Sequence, residues 1–157
     1  MKNNDILRRL RYALSENDAR MVELFALSGH EVSIEQVHAY MGKEEEDDTV
    51  YCPNDLLAGF LDALILDRRG PPKTERPKPG PDAELSNNLV LKKLRIALTL
   101  HEEDMLDILK AGEQPLSKSE LSALFRKPDH KHYRECGDQV LRNFLKGLTM
   151  RYRYSKS

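Results

Sequence analysis

Residues 3–14 read NNDILRRLRYAL, and residues 87–98 read NNLVLKKLRIAL. In the first stretch Ile6, Leu7, Leu10, Ala13 and Leu14 fall three and four apart, with Arg8 and Arg9 opposite, which is the spacing of an amphipathic helix. The offset of 84 positions between the two stretches holds well beyond them. Residues 3–68 align with 87–152 without a gap and share 16 identities in 66 pairs. Among these are Asn3/Asn87, Asn4/Asn88, Met21/Met105, Ser33/Ser117, Cys52/Cys136, Phe60/Phe144 and Leu64/Leu148, and most other core pairs are swaps such as Ile6/Val90 or Val37/Leu121. Chance does not keep identity and apolar phase together over four segments, so the chain is a duplication.

Each copy reads as four helices. The second begins near Ser15 or Thr99, each followed three residues on by an acid (Asp18, Glu102) as in a capping box, and buries Met21, Leu24 and Phe25 in the first copy. Gly29 or Gly112 helps end it, and because the glycine is shifted by one position the two turns need not match. The third helix has the clearest start. Ser33 precedes Gln36 and Ser117 precedes Glu120, while Val32/Val37 and Leu116/Leu121 form hydrophobic staples. The fourth follows Cys52-Pro53, proline suiting the first helical position, with the stripe Leu56, Leu57, Phe60, Leu61 and Leu64 mirrored by Val140, Leu141, Phe144, Leu145 and Leu148. No alternating strand pattern competes. The expected fold is all-α: two tandem copies of a four-helix module, pseudo-symmetric.

Between the copies lies GPPKTERPKPGPDAELS, residues 70–86, holding five of the eight prolines. This stretch cannot continue a helix and favours extended polyproline conformations. The expected organisation is a first repeat over 1–69, a linker over 70–86 and a second repeat over 87–157. A module of this size buries only about 60% of its unfolded surface, so the copies are expected to pack on each other or on a second chain.

Composition narrows the function classes. Charged residues make up 32% of the chain and mean hydropathy is −0.63. The longest nearly apolar stretch, residues 56–66, includes Asp62 and is far short of the ~20 residues of a membrane span. The first residues carry charges where a signal peptide is apolar, and there are two cysteines, so a reduced, cytoplasmic protein is expected. The net charge of −1 hides an asymmetry: residues 1–69 hold 8 Lys and Arg against 14 Asp and Glu, residues 87–157 hold 14 against 9. Oppositely charged halves attract one another, or offer one basic surface to an acidic partner.

The motifs NNDILRRLRYAL, NNLVLKKLRIAL and LSKSELSALFRKPDHKHYRECGDQVLRNFLKGL together resemble the YehS-like family of bacterial proteins, built from tandem copies of domain-of-unknown-function family 1456. The resemblance covers nearly the whole chain. It implies the two-copy helical architecture and a bacterial cytosolic setting, and it brings no catalytic residue. The first copy has EEEDD at 44–48 where the second has PDHKH at 128–132.

The most unusual local composition is the loop after the third helix of the second copy: Arg126, Lys127, His130, Lys131, His132, Tyr133 and Arg134. Its functional reading is an anion- or phosphate-binding surface, with Tyr133 placed to stack on a base. Its ordinary reading is a solvated loop paired with the acidic run 44–48, and this is the reading the charge balance favours. His130, His132 and Cys136 invite a transition-metal reading, but their spacing matches no standard zinc motif and the aligned Glu46 and Asp48 are not histidines. Cys52 and Cys136 sit beside helix starts, where a small buried side chain is the plain reading and a thiol activated by the helix N-terminus the sharper one. A helix-turn-helix is suggested by the short turn between helices two and three, but G-H-E-V-S is longer than the usual turn and Phe25 stands where a small residue is needed. Neither GxSxG, G-x-x-x-x-G-K-[ST], HExxH nor paired CxxC occurs. The expectation is therefore a non-enzymatic tandem-repeat protein, without cofactor or metal, that binds a macromolecular protein partner or self-associates. The rival is a nucleic-acid-binding regulator using the basic second repeat.

Overall fold

The computed structural model describes residues 1–42, 50–71 and 84–154. Eight α-helices run α1 (Asn3–Ala13), α2 (Asp18–Leu27), α3 (Ile34–Met41), α4 (Asn54–Arg69), α5 (Asn87–Ala97), α6 (Glu102–Ala111), α7 (Lys118–Leu124) and α8 (Asp138–Thr149). A wider π-type turn, Met150–Tyr154, continues α8. Among the described residues there is no strand, and the fold is all-α with the two sets of four helices in the expected register. The proline-rich stretch at 72–83 and the acidic run at 44–48 lie outside the described residues.

The repeats do not close on separate cores. Within each, the second helix lies on the fourth (α2 on α4, α6 on α8), but α1 packs mainly on α8 and α4 mainly on α5. The centre is thus a four-helix arrangement of α1, α4, α5 and α8, each repeat supplying two. One continuous apolar cluster runs through both repeats. Leu10, Phe25, Phe60, Leu94, Leu109 and Phe144 are all wholly buried in it, and Phe25 and Phe60 meet at 5.4 Å between ring centroids. This is the physical outcome expected of a module too small to bury its own surface. It also explains why Arg8 and Arg9 are half-buried rather than fully solvated: α1 lies between α3 and α8.

Polar contacts across the centre follow the same pseudo-symmetry. Arg69 at the end of α4 donates to Thr99 Oγ1 at 3.0 Å, and its counterpart Arg153 donates to Ser15 Oγ at 3.4 Å. Between α2 and α4, Arg20 pairs with Asp67; at the corresponding positions of α6 and the turn after α8, Asp104 pairs with Arg151 at 2.8 Å. The two charges have exchanged places while the bridge survived.

The helix starts and stops are partly as the sequence suggests. Both capping boxes of the third helices form: Gln36 N–H donates to Ser33 Oγ at 3.1 Å and Ser33 N–H to Gln36 Oε1 at 2.9 Å, and Ser117/Glu120 repeat this. The second helices differ from expectation. Their N-caps are Asn17, whose side chain accepts from Arg20 N–H, and His101, whose N–H donates to Asp104. Ser15 and Thr99 instead close the first helices, at φ of 55° and 53°. Glu16 N–H reaches back to Arg11 O and Leu100 N–H to Arg95 O, the six-to-one bond of a Schellman turn. Pro53 is the N-cap of α4, so that helix starts one residue later than expected.

The shifted glycine has a packing cause. Gly29, at φ 84°, and the aligned Glu113, at φ 68°, take the same left-handed position, so the two turns match after all. Gly112 answers a close approach: a Cβ there would stand 1.8 Å from Asn143 O, and one on Gly147 would stand 1.9 Å from Ile108 O. Helices α6 and α8 therefore touch backbone to backbone. In the first repeat Gly59 provides the room instead, beneath Ser28 and His30.

Candidate functional site

Two regions carry the chemistry that the core does not use. The first is the basic loop joining α7 to α8. Asn88, on the second residue of α5, holds it at both ends: its Nδ2 donates to Leu124 O and to Arg134 O, each at 2.9 Å, and its Oδ1 accepts from Cys136 N–H at 2.8 Å. Arg134 N–H donates to Ala123 O, while His130 N–H and Tyr133 N–H close two turns inside the loop. Asn4 does the same in the first repeat, donating to Val50 O and accepting from Cys52 N–H at 2.7 Å. Asn3 and Asn87 each add a bond to the carbonyl of the cysteine, at 2.9 and 3.0 Å. The repeated Asn-Asn pairs, legible in the sequence only as identities, are loop clamps.

Fastened in this way, the loop turns Lys127, His130, Lys131, His132 and Arg134 to solvent, with Arg126 and Tyr133 half-buried. Arg134 lies 3.6 Å from Glu120 of α7, whose carboxyl is held below the usual range first by hydrogen bonds from Ser117 and then by that guanidinium. The expected pairing with residues 44–48 lies outside the described residues. His130 Nδ1 accepts from His132 N–H at 3.0 Å, which occupies one of the two ring nitrogens a metal would use. The rings stand 5.7 Å apart. Cys136 is buried and its thiol turns to Gly137 O at 3.7 Å. Among the described residues no three His, Cys, Asp or Glu side chains converge as a metal site requires.

Burial decides the character of both cysteines. It pushes the Cys52 thiol up to about 12, with Asp55 adding to the effect, and the Cys136 thiol up to about 11, with Asp138 adding. Loss of solvent outweighs any help from the adjoining helix N-termini. These are packing thiols.

The second region is a cleft of about 500 Å³ where the end of α1 meets the chain's last turn. Arg8, Arg11, Tyr12, Ser15 and Asn17 come from the first repeat and Arg153 from the second. Arg8, Arg11 and Tyr12 are spaced to share one face of α1, with Ser15 in the turn that ends it. Arg153 is 141 positions from Tyr12, and nothing in the sequence places it there.

This is a tandem-repeat protein whose two four-helix units share one core. The chain belongs to the DUF1456 family: the model of that family, described as a protein of unknown function, matches residues 3–70 and 87–153. It is similar to the uncharacterized protein YehS of Escherichia coli strain K12, at 43% identity over 156 residues covering 99% of each chain. No solved structure matches it.

Proposed function

We propose that the protein is a non-enzymatic, cytoplasmic binding module, without cofactor, whose loop 126–134 docks on an acidic surface of a protein partner. The observation that carries this reading is the Asn88 clamp, which fastens both ends of a loop whose cationic and imidazole side chains largely face solvent. Pre-ordering lowers the entropy cost of association. Arg134 lies within ion-pair distance of Glu120, and among the described residues no other cation of this row lies so near a carboxylate. The half-buried Tyr133 is poorly placed to offer a ring face to a base, which favours protein over nucleic acid. A bacterial setting is in keeping with the relative from Escherichia coli, and no helix among the described residues is long and apolar enough to cross a membrane.

The test compares the intact chain with a variant in which Arg126, Lys127, Lys131 and Arg134 are alanine. Because the repeats associate through α1, α4, α5 and α8, the variant is expected to fold, within about 1 kcal/mol of the wild type. A protein retained by the wild type, released by salt and lost by the variant supports the reading. Salt-sensitive binding of the wild type to random duplex DNA or RNA, lost in the variant, moves the assignment to nucleic acid.

A further inference from the structure

The cleft between α1 and the last turn is independent of the loop and has its own chemistry. Three guanidinium groups line it, against one lining carboxylate, Glu16, which lies 3.8 Å from Arg20 of α2. Arg8 is paired with Asp5, and Arg11 with Asp18 at 2.6 Å. One guanidinium donor of the cleft remains unanswered. Arg8 Nη1 is shut off from solvent with no hydrogen-bond partner among the described residues. Arg153 stacks 3.9 Å over the Tyr12 ring and donates to Tyr12 O at 3.0 Å and to Ser15 Oγ at 3.4 Å, so its hydrogen bonds go to neutral oxygens and no carboxylate among the described residues balances its charge. A buried, unmatched guanidinium donor is costly, and an anion is the group that relieves it.

The duplication provides an internal comparison. At the corresponding place in the second repeat, Tyr12 is replaced by Ile96 and Glu16 by Leu100, which is buried. Arg95, counterpart of Arg11, lies 4.7 Å over the Phe125 ring instead of beside a carboxylate. The same backbone device, a left-handed hydroxyl residue gripped by the arginine of the other repeat, is there packed with apolar side chains. The polar cleft belongs to one side only, so the pseudo-symmetric scaffold does not by itself require it.

We propose that this cleft binds a phosphorylated small organic molecule, its phosphoryl group held between Arg8, Arg11 and Arg153. Arginines from two elements line the cleft, and a guanidinium suits a tetrahedral dianion because it offers a planar fork of donors. Ser15 Oγ and the Asn17 side chain supply neutral hydrogen bonds. The volume of about 500 Å³ exceeds what an inorganic anion fills and falls in the range of small-molecule sites. Tyr12, 45% exposed, offers the organic part the ring surface that Arg153 leaves uncovered.

Isothermal titration of the full-length protein at low ionic strength tests this, with AMP, ribose 5-phosphate, inorganic phosphate and adenosine as probes. At least one organic phosphate is expected to bind saturably and more tightly than inorganic phosphate, and adenosine is expected not to bind. Arg8→Gln and Arg153→Gln should each weaken that binding roughly tenfold or more, the usual scale for a charged hydrogen bond. Arg69→Gln, which removes the matching bond to Thr99 on the other side, should leave it within about twofold. Thermal melts confirm that each variant is folded. Failure of every phosphate probe to saturate, inorganic phosphate binding as tightly as both organic ones, or equal losses from Arg69→Gln and Arg153→Gln would each overturn the proposal. The loop variant leaves this cleft intact, so the two readings fail separately.

Discussion

Asn88 satisfies three backbone groups with one side chain and Asn4 satisfies two, and Asn4 is only 3% exposed while doing so. The amide is suited to this because it carries donors and an acceptor on one flat group. Aspartate has the same shape but no N–H, and would set a charge against two carbonyls. Asn88→Ala should therefore cost about 2–4 kcal/mol, the sum of a few lost bonds and the groups they strand, and Asn88→Asp should cost more at neutral pH. Urea unfolding measures both. Equal stability of Asn88→Asp and the wild type would mean that the amide donors do not hold the loop. The same clamp presents each cysteine backbone to its asparagine and buries the thiol, which is why the duplicated Cys52 and Cys136 are packing residues.

At the scale of elements, the fit between α6 and α8 depends on two missing side chains. Alanine is about 1 kcal/mol better than glycine inside a helix, so propensity alone says Gly147→Ala stabilises α8. The backbone approach says the reverse: the new Cβ would stand 1.9 Å from Ile108 O, a carbonyl that cannot swing aside as a side chain does. Separating the helices loses packing along the whole contact. Gly147→Ala should destabilise the protein by about 2–4 kcal/mol in thermal or denaturant melts, on the scale of an overpacked core with some lost burial. A neutral or stabilising result would show that the helices part without loss. The first repeat reaches a similar packing with Ala63 at this position and Gly59 four residues earlier, so the steric requirement has been kept and its location moved. The exchanged bridges Arg20–Asp67 and Asp104–Arg151 show the same freedom in charge.

For the whole molecule, the crossing of partners is the feature with most consequence. Because α1 packs on α8 and α5 on α4, removal of one repeat bares the apolar faces of two helices in the other. A chain ending at residue 71 and a chain beginning at residue 84 should each be poorly folded or self-associated alone. Mixed, they should recover a cooperative transition and the helical signal of the intact protein, at concentrations set by the lost tether. Circular dichroism and sedimentation measure this. Two fragments that each melt cooperatively as monomers would contradict the shared core. The linker stretch is then a tether that raises local concentration, while the helices supply the affinity.

The sequence by itself determined the helical class, the duplication and its offset, the buried face of each helix and the third-helix capping boxes. All of these rest on interactions within a few residues or on apolar periodicity, which a string records directly. Tertiary structure decided where Ser15 and Thr99 belong, because a hydroxyl residue three before an acid signals a helix start and seldom takes a left-handed stop, and here each hydroxyl accepts from an arginine of the other repeat. It decided why the glycine moved, since the pressure on Gly112 comes from a carbonyl of α8 distant in sequence. It also decided the role of Arg153, which reaches Tyr12 and Ser15 across 141 and 138 positions. The composition of the basic loop was legible. Its anchoring was not, because an asparagine at the start of one helix holds a loop at the start of another. The cleft remained invisible for the same reason: Arg153, which completes it, is supplied by the other repeat, and periodicity carries no information about which helices meet.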